Sequence, residues 1–303
     1  MIKKGYIYLM KSLDDKERTF ITFEYAGDIY KRFTIVLETG KPYKPVIDAF
    51  HGELANKFVR QENYENEKVR KAMIEYFVEY LGFFKERLEV LYEDNHIIVV
   101  VKPINVLSQS DNTNDPDMLT IIKDYIKEKY NKPGNVYLGL VHRLDRVVGG
   151  VMVFAKTSKA ASRLSDDIRT NKVNKTYLAI THGNPGNGEY VDYLKKLDDY
   201  KTIVSKDGKL SKLTFNTLEY NKEKDLSLVE VHLETGRHHQ IRVQFSSRNY
   251  PLLGDHRYGY DDGNKEIGLF AYKLEFIHPV KKEKMEFVYK PKSKIYSEFN
   301  FIK

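Results

Sequence analysis

The chain alternates short apolar runs with polar breaks, and the spacing of those runs gives the first expectations. In residues 1–88 two β-rich runs come first, at 19–25 and 33–38, with Ala26-Gly27-Asp28 as turn residues between them. Helices are expected at about 46–59 and 66–81; in the second, Val69, Met73, Phe77 and Tyr80 fall at helical spacing. From Glu89 the pattern changes. The unbroken run 96–101 predicts a buried strand that stops at Lys102-Pro103, because proline lacks a backbone donor. A polar loop follows at 111–117. A helix is expected at 118–130 with Leu119, Ile122, Tyr125 and Ile126 on one face. Strand-like runs at 136–141 and 150–155 flank a charged stretch. Thr157 can cap a helix reaching about residue 169.

Strands then dominate, at 175–181, 189–193, 202–204, 212–220, 226–233, 269–277 and 286–289. One helix interrupts them at about 237–247. On it Ile241 and Phe245 face the core, and His238 and Arg242 share another face. The glycine-rich 183–188 has the spacing Gly-x-x-Gly-x-Gly with an internal proline, and a strand follows it. That makes it a turn rather than a dinucleotide loop. Runs of strands with few helices predict an α+β fold, a mainly antiparallel mixed sheet with flanking helices over 89–303. Residues 1–88 are expected to form a small N-terminal α/β accessory domain.

The candidate chemistry centres on Val141-His142-Arg143-Leu144-Asp145-Arg146, which places an acid, two arginines and a histidine between two core strands. Connections held by a rigid scaffold often carry catalytic groups. The competing reading is a solvated hairpin with an incidental ion pair, which is worth little. An ionised aspartate beside arginines has a lowered pKa, which suits a nucleophile or cation stabiliser better than a general acid. Arginines near a helix start suit a phosphate or carboxylate.

Composition narrows the chemistry further. There are no cysteines, which excludes disulfides and thiolate chemistry and suits a cytoplasmic protein. The histidines form no His-x-x-x-His pair, and no metal is expected. No phosphate-binding loop ending in Gly-Lys-Ser/Thr and no Gly-x-Ser-x-Gly elbow is present. No apolar run reaches the ~20 residues of a membrane span, and the basic start is too interrupted for a signal peptide. The net charge of +7 favours a polyanionic partner only mildly, since the excess is spread over the chain: 16 bases and 14 acids to residue 88, 34 and 29 beyond.

Six stretches in order resemble the RluA-type RNA pseudouridine synthases. They are Ile98-Val99-Val100-Val101-Lys102-Pro103; His142-Arg143-Leu144-Asp145 with Gly150–Thr157; Lys175-Thr176-Tyr177-Leu178-Ala179; Gly236-Arg237-His238-His239-Gln240-Ile241-Arg242; Gly254-Asp255-x-x-Tyr258-Gly259; and Leu274-x-Phe276-x-His278-Pro279. The resemblance covers about 89–290. It implies isomerisation of specific uridines in structured ribosomal or transfer RNA, without a cofactor. Under it Asp145 is the catalytic aspartate, Tyr177 stacks on the target base, and Arg242 pairs with Asp145. His142, Arg143, Arg237, His239 and Gln240 are implied at the substrate, with Arg143 filling the gap left by the flipped uridine. The partner expected is RNA, the location cytoplasmic and the state monomeric.

The sequence departs from the family pattern at Val148-Gly149, at Gln244, and in residues 1–88, which do not resemble the S4 RNA-binding domain. A catalytically inactive RNA-binding or ribosome-assembly protein is the alternative. A nucleoside-cleaving glycosidase is disfavoured, since no second carboxylate is evident to activate water.

Overall fold

The computed structural model describes four N-terminal strands, residues 88–111 and residues 117–302. The chain divides into two compact units, residues 1–85 with 110–115, and 86–109 with 116–303. In the first unit β1 (Gly5–Ser12), β2 (Arg18–Tyr25), β3 (Lys31–Glu38) and β4 (Phe58–Gln61) form an antiparallel sheet in the order β3-β2-β1-β4. Patterning anticipated β2 and β3 but not β1 or β4. Phe58 and Val59, expected at a helix end, belong to β4. The rest of that helix, the one at 66–81 and the turn at 26–28 lie outside the described residues.

The second unit is built on an 11-stranded sheet. Its strands are β5 (Glu89–Glu93), β6 (Ile97–Lys102), β7 (Gly139–Leu140), β8 (Gly149–Ala155), β9 (Asn174–His182), β10 (Asn187–Lys196), β11 (Thr202–Val204), β12 (Lys209–Asn221), β13 (Leu226–Leu233), β14 (Leu269–Ile277) and β15 (Lys284–Val288). The order is β11-β10-β12-β13-β9-β14-β8-β6-β5, with β15 on β14 and β7 on β8. Only β8–β14 is parallel among the described pairings, so the mainly antiparallel expectation holds. The apolar run expected as a strand at 136–141 pairs only at Gly139-Leu140.

Two layers pack on this sheet. β6 and β8 are buried along their whole length, as their unbroken apolar runs require. One face packs Ile97, Val99, Val151, Val153 and Phe276 under α2 (Ser158–Arg169), through Ala160 and Leu164. The Thr157 side chain accepts from Ala160 N at 3.2 Å, capping that helix as expected. On the other face Leu178, Ile180, Leu228 and Phe270 pack against Tyr296 and Phe299 of the C-terminal segment. α1 (Met118–Lys129) is capped by Asp117, which accepts from Thr120 N, and buries Met118, Ile122 and Ile126.

The helix expected at 237–247 is shorter. α3 spans Gln240–Ser246 and begins after His239, whose backbone is left-handed at φ 52°. Gln240 is the cause. Its Oε1 accepts from Arg237 N at 3.0 Å and from the Thr235 hydroxyl at 2.8 Å, which folds 235–239 into a turn. His238 therefore does not share a helical face with Arg242. Phe245 of α3 packs edge to face on Tyr190 and Phe215, each with centroids 5.1 Å apart, and those two rings meet at a tilt at 4.4 Å.

Candidate active site

Asp145 sits on the connection between β7 and β8, and that connection is gripped at three points around it. His142 Nε2 accepts from Val153 N at 3.1 Å. The Ser108 hydroxyl both donates to Leu144 O at 2.8 Å and accepts from Leu144 N at 3.1 Å. Lys102 Nζ donates to Arg146 O at 3.0 Å, as well as to Pro103 O at 2.9 Å and Val106 O at 2.6 Å. Three carbonyls match the three protons of an ammonium. Burial pushes the Lys102 amine down to about 7, against the pull of Asp145. The far end of the connection is pinned by Gly150. Its φ is +130°, and a Cβ there would lie 2.3 Å from Ala271 O on β14. Asp145 itself remains 28% exposed.

Arg242 approaches from α3. Its Nε and Nη2 grip Asp255 at 2.8 and 2.7 Å, a bidentate buried pair. A third nitrogen, Nη1, reaches Asp145 Oδ2 at 3.4 Å. The expected Arg242–Asp145 pairing is thus the longer of two contacts. Burial opposes the charge on Arg242, and the bonds to Asp255 outweigh it, so the guanidinium pKa is raised. Asp255 owes its place to Gly254, at φ +67°, where a Cβ would meet Glu266 O at 2.1 Å. His239 Nε2 also lies 3.4 Å from Asp145 Oδ2. Tyr177, on β9, is buried. Burial and the neighbouring Asp145 charge raise its phenol pKa.

The other residues expected at the substrate divide. Arg143 and Arg237 are exposed; Arg237 donates Nε to Leu210 O at 3.0 Å and precedes α3 rather than opening it. Gln240 is buried, with Nε2 donating to Lys212 O at 3.1 Å, so its amide serves the turn and not a ligand. His142 Nε2 accepts from the β8 backbone; burial and the positive Lys175 push its pKa down to about 4. The sequence pattern does not reveal the roles of Lys102, Ser108 or the Asp255 grip on Arg242. The one available signal was Lys102, a lysine closing an apolar run. Gln244, the departure from family pattern, is buried and ties α3 to Asp192 at 2.8 Å. Among the described residues no group of three His, Asp or Glu side chains is placed to hold a metal ion. Among them, too, no helix is long and apolar enough to cross a membrane.

Fold and motif order together define the class. The RNA pseudouridylate synthase family model matches residues 96–247, and the chain belongs to that family. That span includes Asp145, Tyr177 and Arg242. Among its relatives is the ribosomal large subunit pseudouridine synthase D of Zymomonas mobilis, 31% identical over 215 residues, covering 66% of this chain and 68% of that protein. An uncharacterized RNA pseudouridine synthase of Aquifex aeolicus is 32% identical with the same coverage. The human RNA Pseudouridylate Synthase Domain Containing 4 structure shares the fold, with a TM-score of 0.58 at 24% identity, over 72% of this chain and 94% of that one.

Proposed function

We propose that the chain converts specific uridines of structured RNA to pseudouridine, with Asp145 as the reacting carboxylate. The observation that carries this is the convergence of Asp145, Arg242 and Tyr177, which come from a loop, a helix and a strand. As the N1–C1′ bond breaks, positive charge develops at C1′. The Asp145 carboxylate meets that charge, by bonding to C1′ or by stabilising it. Uracil turns and rejoins through C5; C5 loses a proton and N1 gains one, so the product is an isomer. Tyr177, protonated at neutral pH by its raised pKa, supplies a ring face for the base and a hydroxyl at its edge. The exposed Arg143 is the side chain proposed to fill the gap left by the flipped nucleotide.

Ribosomal RNA is the proposed substrate over transfer RNA, because the relatives include ribosomal large subunit pseudouridine synthases. Residues 1–88 are proposed as an accessory α/β domain and residues 89–303 as the catalytic domain, with the cytoplasm as the location. The test is tritium release from [5-³H]uridine-labelled bulk RNA of cells lacking the protein, followed by mapping of the pseudouridines it restores. Release with a defined new site supports the reading. RNA binding without release would instead make the chain an inactive RNA-binding or assembly protein.

A further inference from the structure

We infer that His239 is a positioning residue, a neutral Nε2–H donor that orients the Asp145 carboxylate and leaves Oδ1 as the oxygen presented to the ribose. The inference rests on the proposed role of Asp145. His239 was expected to touch the substrate, and its surroundings point elsewhere.

The backbone comes first. His239 is a non-glycine residue in the left-handed region, a conformation with a steric penalty that tends to persist where function requires it. Its side chain makes no capping bond to α3, so the imidazole is left for other contacts.

The hydrogen bonds around the ring favour one direction. The Thr202 backbone N–H can only donate, and it reaches Tyr258 Oη at 2.9 Å. The Tyr258 proton is thereby free for His239 Nδ1, 2.7 Å away. A neutral imidazole carries one proton. With Nδ1 accepting, that proton is on Nε2, which faces Asp145 Oδ2 at 3.4 Å. The opposite tautomer would set a nitrogen lone pair against a carboxylate oxygen.

The ring is also held neutral. Its side chain is 9% exposed. Burial pushes its pKa down to about 4, helped by Arg242, His238 and Arg257 and opposed by Asp145. His238 stacks on it with centroids 3.7 Å apart and is itself tied to the Thr202 hydroxyl at 2.9 Å. The ring is therefore fixed by stacking on one side and by Tyr258 at its edge.

Both contacts to Asp145 converge on one atom. Arg242 Nη1 and His239 Nε2 each lie 3.4 Å from Oδ2. Oδ1 has no hydrogen-bond partner among the described residues. Arg242 donates to Oδ2 and the edge of the His239 ring faces the same oxygen, so both hold the carboxylate from one side and Oδ1 keeps its lone pairs for C1′. A neutral donor does this without adding a second full positive charge beside Arg242, which would weaken the carboxylate's response to charge at C1′.

Two measurements test this on the full chain. Nitrogen-15 NMR of the labelled wild-type protein at pH 7 should show His239 protonated on Nε2 alone. An Nδ1–H tautomer or an imidazolium would overturn the inference, whatever the activity. Single-turnover tritium release from the bulk RNA described above is the second. His239→Phe should slow release about 10²-fold, with RNA affinity close to wild type. His239→Gln, whose amide can donate from a similar place, should recover most of that loss. Tyr258→Phe should slow release and broaden the tautomer signal. A His239→Phe protein as fast as wild type, or one that loses affinity rather than rate, would overturn the inference. If wild type itself releases no tritium the proposed function fails, and the NMR result still decides the tautomer.

Discussion

Arg242 gives two nitrogens to Asp255 at 2.8 and 2.7 Å and reaches Asp145 with only a third, at 3.4 Å. Asp255 thus fixes the guanidinium, and the guanidinium addresses the reacting carboxylate from a set position. Both partners of the Arg242–Asp255 pair are buried, with side chains 8% and 1% exposed. Removing one partner of such a pair leaves an uncompensated charge and costs about 3–5 kcal/mol. Asp255→Ala should lower stability by an amount in that range, read by denaturant unfolding. Asp255→Asn should fold better yet turn over more slowly, because the fork loses its charged anchor. Wild-type stability in Asp255→Ala would contradict the pairing.

Asp145 is partly exposed. Asp145→Asn keeps the side-chain shape and removes the charge. Tritium release should disappear while the thermal midpoint and RNA affinity stay near wild type, checked by melting and by filter binding of bulk RNA. Full residual turnover would remove Asp145 from its proposed role.

Tyr177 presents a buried phenol whose pKa is raised by burial first and by Asp145 second. It therefore acts as the neutral phenol across the ordinary pH range. Tyr177→Phe retains the ring for stacking and loses the hydroxyl. Single-turnover release should fall about 10²-fold if the hydroxyl takes part in proton transfer, with RNA affinity unchanged. An unchanged rate would confine Tyr177 to stacking.

Where apolar runs are continuous or strictly alternating, the elements are legible in the sequence. β13 and β14 fall at the expected 226–233 and 269–277, and Thr157 caps α2. Of the run at 136–141 only Gly139-Leu140 pairs, and beyond Leu140 the chain is drawn off the strand course by the bonds of His142 and Leu144. The start of α3 misled because periodicity cannot register a side chain that folds the preceding turn, as Gln240 does at Arg237 N and Thr235. In the candidate site, residue identities were visible but their partners were not. Arg242 has Asp145 and Asp255 at different distances, and only geometry ranks them. The left-handed His239 and the three carbonyls around Lys102 have no one-dimensional signature.

Lys102 ties two loops together under Asp145, through Pro103 O and Val106 O on one side and Arg146 O on the other. Lys102→Met preserves the length of the stem and removes all three bonds. Leaving a buried carbonyl unpaired costs about 1–3 kcal/mol, and Val106 O is the buried one of the three, so unfolding free energy should drop by an amount of that order. Because Arg146 adjoins Asp145, tritium release should also fall, and it should fall at temperatures where the variant remains folded. Loss of activity only upon unfolding would limit Lys102 to stability.

Two histidines, His142 and His239, are each pushed by burial down to about 4, below the ordinary 6.5. In the folded chain they release their protons above about pH 4, whereas the unfolded chain holds them up to about pH 6.5. Between those values the unfolded state binds more protons, so stability rises with pH across the window and is lost as pH falls from 6.5 toward 4. Denaturant unfolding at pH 7, 5.5 and 4.5 should show this decline, with uptake of up to two protons per molecule unfolded from these sites. The backbone bond to His142 allows the contributions to be separated. Its Nε2 accepts from Val153 N, and a glutamine oxygen can accept from a similar position without titrating. His142→Gln should therefore flatten the slope by nearly one proton while leaving stability at pH 7 little changed. A slope identical to wild type would mean that His142 keeps an ordinary pKa and that the β7–β8 connection can accept its charge.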